Sequence, residues 1–285
     1  MIYNISGIAT NSAYDVSGNH LNRAYDVSGN QVFSGSISLK VMTYNVGGWY
    51  TGSGGNVPAA KKDTYYALQT GMITDNDPDI LIIQEYLAQF SDDGTSALTM
   101  LQGLFPYVHA VTSGTYFGRA VCSKYPITDY VQRAYTQESS RYFDSCTITV
   151  NGVPITVVNT HLGLTQANRT PELSQLIGFL NTQTRFICGG DFNTSIMPTE
   201  TTSSTSYVEN VKPLLDEGYH MANFAEEGFL VTSSDKPDGT WDGCLDNIVT
   251  SSNISVSGAY VDTTKLTDGL NDKIDHMPLI ATVSY

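Results

Sequence analysis

Short apolar runs ending in polar side chains recur along most of the chain. Leu39 to Val46 reads LKVMTYNV and delivers Asn45, and Asp79 to Glu85 reads DILIIQE and delivers Gln84 and Glu85. Pro154 to His161 reads PITVVNTH and delivers Asn159 and His161, while Cys244 to Thr250 reads CLDNIVT and carries Asp246. The last run, Met277 to Tyr285, is instead preceded by its polar pair, Asp275-His276. Runs this apolar predict strands covered on both faces. A polar group at the end of such a strand can reach a shared cleft. Between the runs, Ala59 to Thr74 and Pro171 to Asn181 read as helices, with Pro171 at a first helical position, where its missing N–H is tolerated. Val208 to Asp216 reads as a short third helix. The Ser/Thr-rich stretch 194–206 reads as a loop, and loops 47–58, 91–100 and 194–206 are where substrate choice would be set.

One run carries the densest chemical signal. Residues 186–194 read FICGGDFNT, so an apolar strand ends in two glycines followed by Asp191 and Asn193. Side chains alternate along an extended chain, which predicts that Asp191 and Asn193 point the same way. A carboxylate beside an amide can orient a water and hold a phosphate oxygen, and the glycines would let a ligand approach the backbone. The competing reading is an ordinary strand-to-loop turn, because Gly, Asp and Asn are the usual turn residues.

The beginning of the chain has a different pattern. YNISGIATNSA, YDVSGNHLNRA and YDVSGNQVFSG are 11-residue units starting at Tyr3, Tyr14 and Tyr25. Their Ser-Gly-Asn steps signal turns between short strands. Units this short cannot bury a core alone, so they are expected to stack, to pair with copies in other chains, or to dock elsewhere. Asp15 and Asp26 read as turn formers, with a calcium role as the alternative. The expected division is a repeat segment over 1–38 and a catalytic domain over 39–285.

The ordered set TYN at 43–45, PDILIIQE at 78–85, AVCSKYPI at 120–127, NTHL at 159–162, GGDFN at 189–193, LDNI at 245–248 and DHMP at 275–278 resembles the endonuclease/exonuclease/phosphatase superfamily. The resemblance implies an α+β fold of the deoxyribonuclease I-like kind, a four-layer sandwich of two mixed β-sheets flanked by helices. It implies metal-dependent hydrolysis of phosphodiester bonds, with a nuclease as the first reading. A lipid or small-molecule phosphodiesterase or phosphatase of the same fold is the alternative, and a non-catalytic binding module is a third. By the same resemblance, Asp191 orients or deprotonates the attacking water and Asn193 helps to position water and phosphate. His276 contacts the phosphate or acts as a base, Asp246 fixes its tautomer, and His161 is the candidate acid or electrophile. Arg141 would reach phosphate, with a surface charge at a strand start as its competing reading. Tyr116 and Tyr142 are candidates for the cleft wall. His20, His109 and His220 read as structural.

A hard divalent cation suits such chemistry, and Mg²⁺ usually takes one or two protein carboxylates. Glu85 is the candidate carboxylate, Asn45 a neutral oxygen ligand and Asp275 a second carboxylate. Mn²⁺ and Ca²⁺ are the other candidate ions. The competing reading for Glu85 is a salt bridge at a strand end, although few bases are available to pair with it.

Charge narrows the picture. The 285 residues contain 14 Lys and Arg against 28 Asp and Glu, a net charge of −14. Proteins that grip long nucleic acids usually carry excess base, because phosphate contacts supply the salt-dependent part of affinity. Tight non-specific binding without divalent cations is therefore not expected, although a nuclease gripping a few phosphates remains compatible. Cys122, Cys146, Cys188 and Cys244 lie in apolar runs without metal-ligand spacing and read as buried free thiols. The N-terminus shows no basic and apolar leader pattern, and no apolar stretch approaches the roughly 20 residues needed to span a bilayer. The expected partners are a phosphodiester substrate, nucleic acid first, without membrane insertion, and contacts of the repeats with themselves or an attachment site. The default compartment is cytoplasmic.

Overall fold

In the computed structural model, the residues described are 13–14, 20–21, 23–25, 31–34, 36–50, 62–87, 96–111, 118–136, 141–224, 229–234, 242–264 and 274–285. Their framework is two mixed six-stranded sheets. We label the strands β1 (Ser38–Asn45), β2 (Ile80–Tyr86), β3 (Tyr107–Val111), β4 (Gly118–Ser123), β5 (Ile127–Ala134), β6 (Tyr142–Val150), β7 (Val153–His161), β8 (Phe186–Asp191), β9 (His220–Met221), β10 (Asp246–Thr250), β11 (Ser255–Val261) and β12 (Leu279–Ser284). The first sheet runs β11-β12-β1-β2-β4-β3 and the second β9-β10-β8-β7-β6-β5. Each has one parallel pair, β1 with β2 and β7 with β8. The described α-helices are α1 (Lys62–Asn76), α2 (Ala97–Leu104), α3 (Gln166–Leu180), α4 (Thr205–Asn210) and α5 (Lys212–Asp216).

Strand alternation explains the layers. Leu39, Val41, Ile80, Ile82, Leu279 and Ala281 of the first sheet meet Ile148, Ile155, Val157, Ile187 and Ile248 of the second in one buried cluster. The opposite face of β1 and β2, with Met42, Tyr44, Leu81 and Ile83, packs against Met72 and Ile73 of α1 and Leu101 of α2. The outer face of the second sheet, with Phe143, Val158, Phe186 and Val249, packs against Leu173, Leu176 and Leu180 of α3 and Leu214 of α5. Three clusters thus separate four layers, the sandwich that the family resemblance implies. The four cysteines are buried free thiols.

At one end of the sandwich the face between the sheets turns polar. The Gln84 side-chain amide donates to Asn159 Oδ1 at 2.9 Å, and Asn159 Nδ2 donates to the Ile83 and Ala120 carbonyls at 2.8 and 3.1 Å. A side chain of the second sheet thereby satisfies backbone groups of the first, as a buried polar network requires. The two glycines serve this packing rather than a ligand. A Cβ on Gly189 would stand 2.7 Å from Ile82 Cδ1 and 3.2 Å from Thr43 Cβ, on the facing sheet. A Cβ on Gly190 would stand 2.2 Å from the Thr160 carbonyl oxygen on the adjacent strand.

Helix ends differ from the sequence reading in informative ways. α3 begins at Gln166, because Thr165 caps it by accepting from the Asn168 N–H. Pro171 therefore lies inside the helix, where it removes one backbone hydrogen bond. The expected third helix is split into α4 and α5, the first capped by Ser204 and the second opened by Pro213. Residues 97–100, expected in a loop, open α2 behind the Ser96 cap. The described part of the expected 59–74 helix runs from Lys62 to Asn76. Near the N-terminus, Ala13–Tyr14 pairs with His20–Leu21, and Arg23–Tyr25 with Gln31–Ser34. The strands thus flank the Ser-Gly-Asn steps, which themselves lie outside the described residues, as do the first repeat unit before Ala13, Asp15, Asp26, Tyr116, 51–58 and 91–95. No helix among the described residues is long and apolar enough to cross a membrane.

Candidate active site

The polar end of the face between the sheets gathers the side chains named from the sequence. Along β8, Ile187 and Gly189 face the other sheet, and alternation brings Asp191 onto the same side. The same rule extends Val157 and Asn159 of β7 to His161, and Ile248 of β10 to Asp246. Asn45 continues the row of Leu39, Val41 and Thr43 on β1. Asn45, His161, Asp191 and Asp246 therefore share one face with core residues.

Glu85 breaks this rule. Regular alternation would turn it toward the helices with Leu81 and Ile83. Its φ of 52° and the register shift between Ile83 and Tyr86 mark a bulge, and its carboxylate instead accepts from Asn45 Nδ2 at 3.2 Å. Bulges commonly re-aim side chains in this way.

Asp191 Oδ2 is the hub. It accepts from Asn45 Nδ2 at 3.1 Å and lies 3.4 Å from His161 Nε2 and 3.6 Å from His276 Nε2. His161 Nε2 also lies 3.9 Å from Glu85 Oε1. On its other side, His276 Nδ1 is 2.9 Å from Asp246 Oδ2. Asp246, Asp191 and His276 form a buried group that could hold a metal ion.

Burial and charge set the protonation states. Burial pushes the Asp191 carboxyl up to about 7, against the pull of His276 and with the push of Asp246. Burial is also the largest influence on His276 and opposes its charge, but Asp246 and Asp191 outweigh it and hold the imidazole well above its usual range. We therefore read His276 as an imidazolium paired with Asp246. Burial, with the charges of Arg141 and His276, drives His161 well below its usual range, so it is neutral. Its 3.4 Å approach to Asp191 is then a contact of a neutral ring, not a salt bridge. Burial likewise raises Glu85, although it is a quarter exposed at the mouth. The charge of Arg141 reaches both Glu85 and His161.

Three candidates sit differently from their expected placement. Asn193 is not extended: its φ is 48°, its N–H donates to Asp191 Oδ1 at 2.8 Å and its Nδ2 to the Leu162 carbonyl at 2.8 Å. The alternation argument fails there because β8 ends at Asp191, and an Asx turn takes over. Asn45 turns its amide nitrogen into the site, because its oxygen accepts from the Gly47 N–H at 3.0 Å. Asp275 is exposed, but its charge is felt at both Glu85 and His276.

The other assignments are simpler. Tyr142 lies under the Arg119 guanidinium, which pairs with the buried Asp144. His109 stacks on Tyr130, and His220 Nδ1 lies 2.7 Å from the Ile254 carbonyl. The His20 side chain lies outside the described residues.

Sequence reasoning missed the support beneath the site. Thr232 Oγ1 accepts from the Leu245 and Asp246 N–H groups at 3.0 and 2.9 Å, and its carbonyl from the Met277 N–H at 2.7 Å. Ser233 bridges to His276 and donates through its hydroxyl to the Asp275 carbonyl. One segment thus buttresses Asp246 and His276 together. The letters TSS between them carry only a turn signal.

The family model described as "Endonuclease/Exonuclease/phosphatase family" matches residues 42–268. Among solved structures, truncated TDP2 from Caenorhabditis elegans is similar with a TM-score of 0.63 at 16% identity, covering 87% of this chain and 98% of that one. A family protein from Leptotrichia buccalis gives a TM-score of 0.62 at 18% identity, covering 87% and 100%. An AP endonuclease from Archaeoglobus fulgidus gives 0.62 at 18%, covering 85% and 98%. At these identities the structural likeness establishes the fold alone. No curated protein matches the chain by sequence.

Proposed function

The chain belongs to the endonuclease/exonuclease/phosphatase family, and from that premise we propose that it hydrolyses phosphodiester bonds with a divalent cation, nucleic acid being its first substrate class. The observation that carries this reading is the buried Asp191 hub, with both imidazoles and Asn45 gathered around one carboxylate oxygen. Water attack on phosphorus needs a proton acceptor, countercharge for the phosphate oxygens and help for the leaving oxygen. Asp191 in its ionised form takes the proton of water as the water oxygen bonds to phosphorus. The imidazolium of His276, held by Asp246, and the guanidinium of Arg141 stabilise charge on the non-bridging oxygens. The bond from phosphorus to the leaving oxygen breaks; neutral His161 donates a hydrogen bond to that oxygen, which takes its proton from solvent, and Asn193 fixes the orientation of Asp191 through its backbone N–H.

The donor set fits a hard cation. The carboxylates of Glu85, Asp191, Asp246 and Asp275 outnumber the cationic partners at the site, and Asp246 Oδ1 is buried without a hydrogen-bond partner among the described residues. Glu85 would hold Mg²⁺ or Mn²⁺, with Asp275 at the rim, while Asn45, whose nitrogen faces the site, would orient the Glu85 carboxylate rather than ligate. When bound, the cation neutralises phosphate charge.

The net charge of −14 favours a second reading, in which the substrate is a lipid or small-molecule phosphodiester that needs no extended basic surface. Both readings are tested by incubating the protein with Mg²⁺ or Mn²⁺, or with EDTA, against plasmid DNA, RNA, bis-p-nitrophenyl phosphate and a sphingomyelin dispersion, beside Asp191→Ala. Metal-dependent cleavage lost in the variant supports hydrolysis, and the responding substrate selects the class. Turnover that survives in Asp191→Ala refutes the site, and no turnover of any substrate favours a binding module.

A further inference from the structure

Two loops leave the site side by side, 162–164 after His161 and 192–195 after Asp191. Their bases are joined, since the Leu162 N–H donates to the Asp191 carbonyl at 2.9 Å and Asn193 Nδ2 to the Leu162 carbonyl. Farther out, both loops converge on one buried cation of α3. Arg169 Nη1 donates to the Gly163 and Leu164 carbonyls at 3.4 and 2.5 Å, and Nη2 to Ser195 Oγ at 3.2 Å and Gln166 Oε1 at 2.9 Å. Its Nε donates to Asn210 Oδ1 at 3.1 Å, and Asn210 Nδ2 in turn donates to the Thr194 carbonyl at 3.2 Å. The five donors of the guanidinium fork are all engaged. Glu172, one turn along, accepts from the Gly163 N–H at 2.6 Å. Gly163 is needed for this approach, because a Cβ there would stand 2.7 Å from the Asn168 Cβ.

We propose that Arg169 is a positioning residue, which locks the loops following His161 and Asp191 into one lip and so fixes the two catalytic side chains relative to each other. The role in turnover rests on the hydrolytic reading above; the locking of the loops does not. Lysine cannot substitute, because a single ammonium lacks the planar fork that reaches several acceptors at once. Misplacement by about 1 Å can lower a rate on the order of 100-fold. The donors of Arg169 are engaged by protein groups, so its loss is expected to be read in kcat while KM stays close to that of the parent.

The experiment uses the full chain with Arg169→Lys, Arg169→Met and Ser195→Ala. Amide hydrogen exchange is followed over 161–166 and 192–196, with β1 as internal reference, beside hydrolysis of bis-p-nitrophenyl phosphate. Both Arg169 variants are expected to lose protection in the two segments while β1 keeps it. Their kcat is expected to fall about 10- to 100-fold with KM within about threefold. Ser195→Ala, which retains the cation, is expected to lose protection in 192–196 alone and serves if the Arg169 variants do not fold. Unchanged exchange in both segments, or rescue of kcat by lysine, overturns the proposal. A parent protein that hydrolyses nothing overturns the functional reading instead, and the exchange measurement still decides the clamp.

Discussion

Replacing Gly190 with alanine tests how closely β7 and β8 must lie for the site to exist. Neither Gly189 nor Gly190 is among the residues with left-handed backbone, so the effect of a side chain there is steric. The new Cβ at 190 would stand 2.2 Å from the Thr160 carbonyl oxygen, 2.6 Å from Thr160 Cγ2 and 2.9 Å from the Thr160 carbonyl carbon. A tolerable carbon–oxygen approach is about 3.3 Å, so the strands must part by about 1 Å. Thr160 and Gly190 are register partners in the parallel ladder, and parting by that much takes nearby hydrogen bonds beyond useful length. Overpacking costs about 1–3 kcal/mol, and about two weakened ladder bonds add about 1 kcal/mol each, which places Gly190→Ala at about 3–5 kcal/mol. Gly189→Ala meets chiefly the tip of Ile82, which can turn aside, and should cost about 1–3 kcal/mol. Urea unfolding reads both as lower midpoints at unchanged slope. Residual turnover of folded Gly190→Ala should also fall, because Asp191 and His161 are paired at the end of this ladder. The reasoning is refuted if Gly190→Ala keeps the stability of the parent or proves milder than Gly189→Ala.

Other outcomes follow from the same geometry. Asp191 is held up to about 7 in the fold, so its burial penalty is absent below the ordinary carboxylate range and grows as pH rises toward 7. In EDTA, Asp191→Asn should therefore gain stability over the parent between about pH 4 and 7, by roughly 1–3 kcal/mol after allowance for the lost attraction to His276, and parallel curves would contradict this. Pro171→Ala should restore a backbone hydrogen bond inside α3 and raise stability by about 1–3 kcal/mol, so a lowered melting temperature would count against the assigned helix start. Glu85→Gln should weaken Mn²⁺ binding by about tenfold or more, since a ligand charge is lost, with little change in melting temperature. An unchanged titration would remove Glu85 from the site. Deletion of residues 1–33 should leave turnover intact, and loss of turnover would join the repeats to the catalytic unit.

Much of this arrangement was legible because strands buried on both faces write themselves as apolar runs; Asn45 and His161 follow from where such runs stop, whereas Asp246 opens its antiparallel strand. What stayed hidden depends on tertiary context. The bulge at Glu85 re-aims a carboxylate without any glycine or proline to announce it. The glycines of β8 read as room for a ligand, whereas the space is filled by Ile82, Thr43 and Thr160. Pro171 suggested a helix start that Thr165 provides instead. Thr232 and Arg169 act through backbone groups far away in sequence, and a hydroxyl or guanidinium leaves no spacing pattern when its partners are carbonyls and N–H groups.

Because Asn45, His161, Asp191 and Asp246 extend the same face as the core, the chain has no separate means of setting one without the other. A slip of one residue in β7, β8 or β10 would send His161, Asp191 or Asp246 to the helix side and carry apolar partners with it. Misregistered forms would therefore be both poorly packed and unable to assemble the hub. Turnover, once measured, would then serve as a sensitive reporter of folding fidelity, distinguishing a correctly threaded sandwich from a compact impostor of equal secondary structure.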